Sequence, residues 1–128
     1  ARMSVPTRVR LTTAELAAQT GTDGAFIASL LEFGLLRADH DGFFDGLALA
    51  TADVCSTLRS FGLEARHLKT VLQGAARDVD LFSPIIRSAR SGKQPASAAQ
   101  AEELTLQIAT AVVSLHGLLV RALTEVTD

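Results

Sequence analysis

Apolar residues recur at helical spacing near the start of the chain and predict two successive helices. Thr12 and Glu15 have the spacing of a capping box, which opens a helix that stops at Gly21. A second helix begins at residues 22–23, and Gly34 can supply its left-handed cap. Four side chains build one apolar face of this second helix: Phe26, Ile27, Leu30 and Leu31. The pattern predicts a helix-turn-helix.

The pattern then changes to two short extended segments around a polar turn. The segment LLR occupies 35–37, the segment FF occupies 43–44, and DHDG lies between them at 39–42. A polar turn with glycine between apolar segments suits a hairpin. We interpret these residues as a small β-hairpin wing.

Helical spacing returns after the turn. Asp45 can cap a third helix that Gly62 ends, and a fourth helix begins near residues 64–65. Pro84 lacks a backbone donor and clashes with the preceding turn, so we expect a kink or a break just before it. The segment SGKQP, 91–95, is a loop, and a last helix runs from about Ser97 to Val126.

The predicted fold class is mainly α. It comprises a winged helix-turn-helix-like module with a short β-hairpin wing, followed by a kinked helix and a long C-terminal helix. The predicted organisation has three parts: a linker or arm over 1–10, the winged-helix module over 11–74, and helices over 75–128 that pack on it and dimerise.

Charge and cysteine content narrow the class of protein. The 128 residues carry a net charge of −2, yet between residues 11 and 45 only Arg37 opposes six acidic residues, which leaves −5 on the helix-turn-helix region. Cys55 is the single cysteine and is expected in the core. With no apolar run of about eighteen residues and no signal-peptide pattern, we expect a cytoplasmic protein without a membrane partner. The polar start ARMSVPTR suggests a domain cut from a longer protein.

Several phrases resemble a known family. TAELAAQTG, FGLL, a Gly-aromatic turn and LRSFGLEARHLKTVL make residues 11–72 similar to the MerR type of winged helix-turn-helix. Over residues 10 to about 126 the chain most resembles the C-terminal domain of actinobacterial MerR-like regulators associated with cell-division genes. The phrases that carry this second resemblance are GFFD at 42–45, FGLEARHLK at 61–69, AARDVDLFSPII at 75–86 and LHGLLVRAL at 115–123.

The resemblance implies a regulator in which an upstream winged helix binds duplex DNA, with RNA polymerase as a further partner of the full-length protein. This chain would be a degenerate second copy. Ala28 and Ser29 stand where MerR recognition helices carry Arg and an aromatic residue, and Phe44 stands where the wing carries Arg. Because phosphate contacts supply most of the affinity for DNA, a face of charge −5 would repel it.

Three functions follow as alternatives. The first is a C-terminal domain that dimerises and receives an effector or another signal. The second is a DNA-binding domain in its own right that uses five basic residues: Arg8, Arg10, Arg87, Arg90 and Lys93. The third is a small-molecule-binding or enzymatic domain. No catalytic, metal-binding or cofactor-binding residue is predicted, and no cofactor, because no phosphate loop, catalytic triad or metal-ligand spacing is present.

An effector, if there is one, is expected near Phe43, Phe44, Arg66 and His67, at a junction between packed units. Simpler interpretations stand beside this one. In a strand, one of the two phenylalanines points inward as a core residue. For His67, a surface or interface hydrogen bond is the simpler role.

The last helix is predicted to make a homodimer, because it is apolar on two sides. The alternative is a bundle within one chain, in which this helix packs against residues 65–90 on both sides. The residues assigned to the dimer interface are Leu104, Ile108, Ala111, Val113, Leu115, Leu118, Val120 and Ala122.

Overall fold

Helices make up nearly all of the regular structure. A computed structural model describes residues 9–91 and 97–126. Within these ranges the helices are α1 (Thr13–Thr20), α2 (Gly24–Glu32), α3 (Gly46–Ser60), α4 (Ala65–Arg90) and α5 (Ser97–Val126). The mainly α class is confirmed. The chain divides into two compact units, residues 1–73 and 74–128.

Local capping sets the ends of the first helices. The Glu15 N–H donates to the Thr12 hydroxyl at 3.1 Å, and the Thr12 N–H donates to the Glu15 carboxylate at 2.8 Å, which confirms the capping box. Gly21, with φ of 68°, ends α1 in the left-handed conformation that glycine adopts at little cost. Asp23 caps α2 by accepting the Phe26 N–H at 2.9 Å.

The first unit holds a continuous apolar core. Leu16, Ile27 and Leu30 are fully buried between α1 and α2, and Ala52 and Cys55 bring α3 against them. The other members of this core are Leu11, Ala17, Phe26, Leu36, Phe44, Ala48, Ala65 and Leu68. The helix-turn-helix therefore has the packed interior that its apolar spacing predicts.

The predicted β-hairpin wing is wrong, because the described residues contain no strand. The N–H groups of residues 35 and 36 bond to the Leu30 carbonyl and so close the end of α2. Phe44 pairs instead with Leu11, through two backbone hydrogen bonds of 2.8 Å in an isolated antiparallel bridge. One backbone hydrogen bond closes the turn between the two segments: the Asp39 N–H donates to the Phe43 carbonyl. The backbone groups that a hairpin needs are already used elsewhere.

The fourth helix continues through Pro84, so the predicted break is wrong. Proline removes one donor and crowds the preceding turn, at a cost of about 3 kcal/mol. The carbonyl of Asp80 loses its helical partner there, but Asp80 is exposed and water can satisfy that carbonyl. The predicted kink at this position stays a prediction.

The second unit contains the later part of α4 and all of α5. The Asp78 carboxylate lies 3.5 Å from Nδ1 of His116, and the connection between Arg90 and Ser97 is short. The two helices therefore run side by side in opposite directions. Ile86 on α4 and Ala101 on α5 are the buried apolar residues of this unit. Except for Ser91, the predicted loop 91–95 lies outside the described residues.

Candidate functional site

The positions that contact DNA in the resembling family are occupied here by side chains without charge. Ala28 is an exposed methyl group on α2, and the Ser29 hydroxyl donates to the Phe26 carbonyl of its own helix at 2.7 Å. Phe44 is 2 % exposed and belongs to the core. Among these three residues, none presents a cation to a phosphate group.

Three of the five basic residues of the DNA-binding alternative lie within the described residues. Arg8 and Lys93 lie outside the described residues. Arg10 is engaged by acidic side chains of the turn, whereas Arg87 and Arg90 are exposed in the last turn of α4. A phosphate-binding face would need several free cations on one surface.

Two of the four predicted effector residues line one cavity. This cavity has a volume of about 410 Å³ and is bounded by Val9, Arg10, Arg37, Ala38, Asp39 and the segment 43–45. Phe43 is half-buried, so part of its side chain is open to a ligand in the cavity. Phe44 is buried and contributes to the inner wall of the cavity. Arg66 and His67 are exposed on α4 and do not line this cavity.

The turn beside the cavity is built around Asp39. One oxygen of its carboxylate accepts the N–H groups of Asp41 and Phe43, both at 2.9 Å. The hydrogen bond from Phe43 is the largest cause that holds the pKa of Asp39 below its ordinary value of 3.8. Partial desolvation raises this pKa, while the Asp41 N–H and the charges of Arg10 and His40 lower it further. Hydrogen bonds to the Asp39 carboxylate, rather than strand pairing, therefore hold the turn.

Arg10 fastens the N-terminal arm to this turn. Its guanidinium lies 4.0 Å from the centre of the Phe43 ring, 3.3 Å from an Asp41 oxygen and 3.9 Å from an Asp39 oxygen. The next residue, Leu11, makes the paired backbone bonds to Phe44. Sequence reasoning missed this cluster, since Arg10 had been considered only as a phosphate contact. The DxD spacing before glycine was the one local signal of an aspartate-centred turn.

His67 has a structural role at the start of α4. Its Nδ1 accepts the N–H of Glu64 at 2.9 Å. Three positions separate the two residues, as in the second half of a capping box, with histidine in place of glutamate. This arrangement is the surface hydrogen bond expected as the simpler role.

A separate apolar groove lies within the first unit. It has a volume of about 380 Å³ and is lined by Leu35, Val54, Cys55, Leu58, Leu68 and Val71, among others. Val54 and Val71 are 59 % and 61 % exposed at its rim. Cys55 is buried, as predicted, and burial raises the pKa of its thiol above the ordinary 9.0.

The residues assigned to a dimer interface are mostly in contact with water. Leu104 and Ile108 are half-buried, and the other six are exposed. Leu106 and Leu123 are also more than half exposed. The half-buried positions of α5 are Leu104, Thr105, Ile108, Ala109 and Val112, which lie on one face of the helix. Two rows of exposed apolar residues flank this face: Ala111, Leu115 and Leu118 on one side, and Leu106, Val113 and Val120 on the other.

One strip of α5 is polar along its whole length. The strip consists of Glu103, Gln107, Thr110, Ser114, Arg121 and Glu125, all exposed. Two pairs, Glu103 with Gln107 and Arg121 with Glu125, bond along it at 3.2 and 3.3 Å. The span Ala98–Glu125 is long and apolar enough to cross a membrane by length and composition, with a hydropathy of 1.6. A continuous polar strip instead suits a bundle helix that has water on one side.

The described residues contain no group of three His, Cys, Asp or Glu side chains placed to hold a metal ion. His116 and Asp78 form an isolated pair, with His116 58 % exposed at its side chain. Nothing within the described ranges brings a nucleophile and a base together in a cavity.

Comparison with known proteins gives a consistent set of matches. A family model described as "Rv1828-like, C-terminal domain" matches residues 9–128. Two relatives are named as uncharacterized HTH-type transcriptional regulators: Rv1828 of Mycobacterium tuberculosis and Mb1859 of Mycobacterium bovis. Each is 25 % identical over 120 residues, which cover 91 % of this chain and 47 % of the relative. The chain therefore spans about half the length of the curated relatives that it matches.

Proposed function

Because the chain belongs to the family of Rv1828-like C-terminal domains, we propose that it dimerises and receives signals within a MerR-type transcriptional regulator. Its DNA-binding domain would lie upstream of this chain. The relatives are named as HTH-type transcriptional regulators, and the chain corresponds to 47 % of their length. A regulator of this kind works on DNA in the cytoplasm, and no catalytic role is proposed.

The exposed apolar surface of α5 is the observation that carries dimerisation. Seven large apolar side chains of this helix are between 52 % and 71 % exposed: Leu106, Val113, Leu115, Leu118, Leu119, Val120 and Leu123. Large apolar side chains exposed in this number on one helix indicate an interaction surface. The polar strip of α5 gives the same helix a side that stays in water.

A second copy of the chain is the partner that fits best. Two-fold pairing of identical chains is the commonest assembly, and it buries the same surface on both. Antiparallel α4 and α5 segments from two chains would form a four-helix bundle with one covered and one newly buried face on each helix. The exposed Val79, Leu81 and Ile85 on α4 would add to the buried area.

The mass of the chain in solution tests this proposal. Analytical ultracentrifugation at tens of micromolar should give twice the monomer mass, and a monomer would overturn the dimer. The groove around Val54 and Val71 is a second surface that could pair. Val54→Glu and Val113→Glu distinguish the two surfaces, since only the variant on the pairing surface should dissociate.

DNA binding by this chain itself is the alternative. It is disfavoured by the uncharged side chains of Ala28 and Ser29, by the burial of Phe44, and by the acidic partners of Arg10. Titration with duplex DNA at low and at moderate salt tests it. We expect weak binding that disappears at moderate salt, because scattered arginines give only a salt-sensitive attraction. Sequence-selective binding that survives moderate salt would establish the alternative.

Three parts of the proposal rest on the resemblance of the sequence to MerR-like regulators: the MerR type, the cell-division target genes and the partnership with RNA polymerase. Phrases such as GFFD at 42–45 and FGLEARHLK at 61–69 support the MerR type and a role at cell-division genes. Chromatin immunoprecipitation of the full-length regulator should recover promoters of such genes. RNA polymerase should copurify with the full-length regulator on that DNA, whereas enrichment of unrelated promoters would contradict this target class.

A further inference from the structure

The cavity beside the Asp39 turn has one charged group without a partner. Asp39 is held by two backbone N–H groups, Asp45 accepts the N–H of Ala48 at 2.9 Å, and Arg10 lies against Phe43 and Asp41. Arg37, by contrast, is exposed and makes no hydrogen bond or ion pair with other described residues. Arg37 is therefore the lining cation whose donors are not engaged by the described residues.

Part of the remaining wall is apolar, beside the charged side chains of Arg10, Asp39 and Asp45. Val9, Ala38 and Phe43 contribute hydrocarbon surface next to Arg37. A guanidinium presents a planar set of donors that matches a carboxylate or a phosphate group, and it does so better than any other side chain. Ligand pockets commonly combine such a polar anchor with an apolar wall, at volumes of about 300–1,000 Å³. The cavity, at about 410 Å³, lies within this range.

We propose that this cavity binds a small organic anion, whose carboxylate or phosphate group pairs with Arg37 and whose apolar body lies against Phe43. The proposed site shares Phe43 and Phe44 with the effector site that the sequence predicted. It contains Arg37 instead of Arg66 and His67, which do not line this cavity.

Such a ligand would contact the arm directly. Val9 and Arg10 form one wall of the cavity, and Leu11 is bonded to Phe44 immediately behind them. An occupied cavity would hold residues 9–11 more firmly against the turn. The regulatory meaning rests on the proposed function, in which the arm leads toward an upstream DNA-binding domain.

Titration with benzoate, followed by amide NMR, tests the site. Benzoate supplies a carboxylate on a flat apolar body, acetate supplies the carboxylate alone, and inorganic phosphate supplies the other anionic group. We expect saturable shifts at the amides of residues 43–45 and at Leu11, with benzoate binding more tightly than acetate. Benzoate and acetate binding equally would overturn the apolar contact, and no saturable shift with any of the three would overturn the site.

Arg37→Gln provides the matched variant, with Arg66→Gln as the control outside the cavity. A charged hydrogen bond contributes about 1.5–3 kcal/mol, so loss of Arg37 should weaken benzoate binding by about tenfold to a hundredfold. The Arg66→Gln variant should bind as the unmodified chain does. Equal binding by Arg37→Gln would overturn the proposal. Mass measurements on the same samples report dimerisation independently, so failure of one proposal is distinguishable from failure of the other.

Discussion

Placing two glutamates on α5, as Val113→Glu with Leu115→Glu, should convert the dimer into a folded monomer. Val113 is 71 % and Leu115 is 56 % exposed in the single chain, so neither substitution disturbs packing within that chain. The two residues lie on the two apolar rows that flank the covered face of α5. The double variant therefore blocks pairing through either row.

The magnitude follows from the apolar area that pairing would bury. Full burial of Val or Leu contributes about 1.5–3 kcal/mol, and somewhat more than half of each side chain is available here, so each contributes about 1–1.5 kcal/mol. Pairing through one row buries two such side chains in a dimer, one from each chain, which gives about 2–3 kcal/mol and raises the dissociation constant by a factor of about thirty to one hundred and fifty. Burial of carboxylates would add to this loss.

Sedimentation at several concentrations measures the effect, and circular dichroism checks that helicity is retained. The matched control is Thr110→Glu with Ser114→Glu, which adds the same charge to the polar strip of α5 and should leave the dimer intact. A double variant at Val113 and Leu115 that stays dimeric would refute the assignment of α5 to the interface. Equal dissociation by the control would show that net charge, not apolar burial, governs pairing.

Three further predictions concern residues outside α5. Gly34→Ala should lower the free energy of unfolding, measured by urea titration, by about 1–2 kcal/mol, because Gly34 has φ of +81° and an added Cβ would lie 3.2 Å from Leu72. Gly74→Ala is the comparison in the same titration and should raise the free energy of unfolding by about 0.5–1 kcal/mol, because Gly74 lies in a helix with open space around it. Because the pKa of Asp39 is lowered in the folded chain, its carboxylate supports the turn above pH 3.8 and loses this role as the pH falls through the lowered pKa. The NMR shift of the Phe43 amide should therefore change with a midpoint below pH 3.8, and a midpoint at or above 3.8 would contradict this prediction. The Cys55 thiol should react with a disulfide reagent only slowly in the folded chain and rapidly in urea, since it is buried with a raised pKa; fast labelling without urea would count against its burial.

Features that depend on neighbouring residues were predictable from the sequence. The capping box at Thr12, the cap at Asp23 and the start of α3 after Asp45 each involve groups within three positions of one another. Such contacts are visible in the sequence as a fixed spacing between the two residues. The buried face of α2 was predictable for the same reason, since its side chains repeat at the helical period.

Features that depend on distant pairing were not predictable. Phe44 pairs with Leu11, thirty-three positions away, and no local pattern indicates that partner. The cavity at the turn depends on the same pairing, because it brings Val9 and Arg10 beside Phe43. At Pro84 the general rule predicted a kink or a break, and α4 nevertheless continues through this position.

The burial of Phe44 means that adding positive charge at this position would not by itself create a DNA-binding surface. Ala28 is exposed, so an arginine there would reach water without disturbing the fold. An arginine at 44 would instead place a guanidinium in a site that is 2 % exposed, at a cost of several kcal/mol. Its backbone would still be paired with Leu11, and Arg10 would still cover the turn. Arg10 and Leu11 thus hold the turn through contacts within the chain.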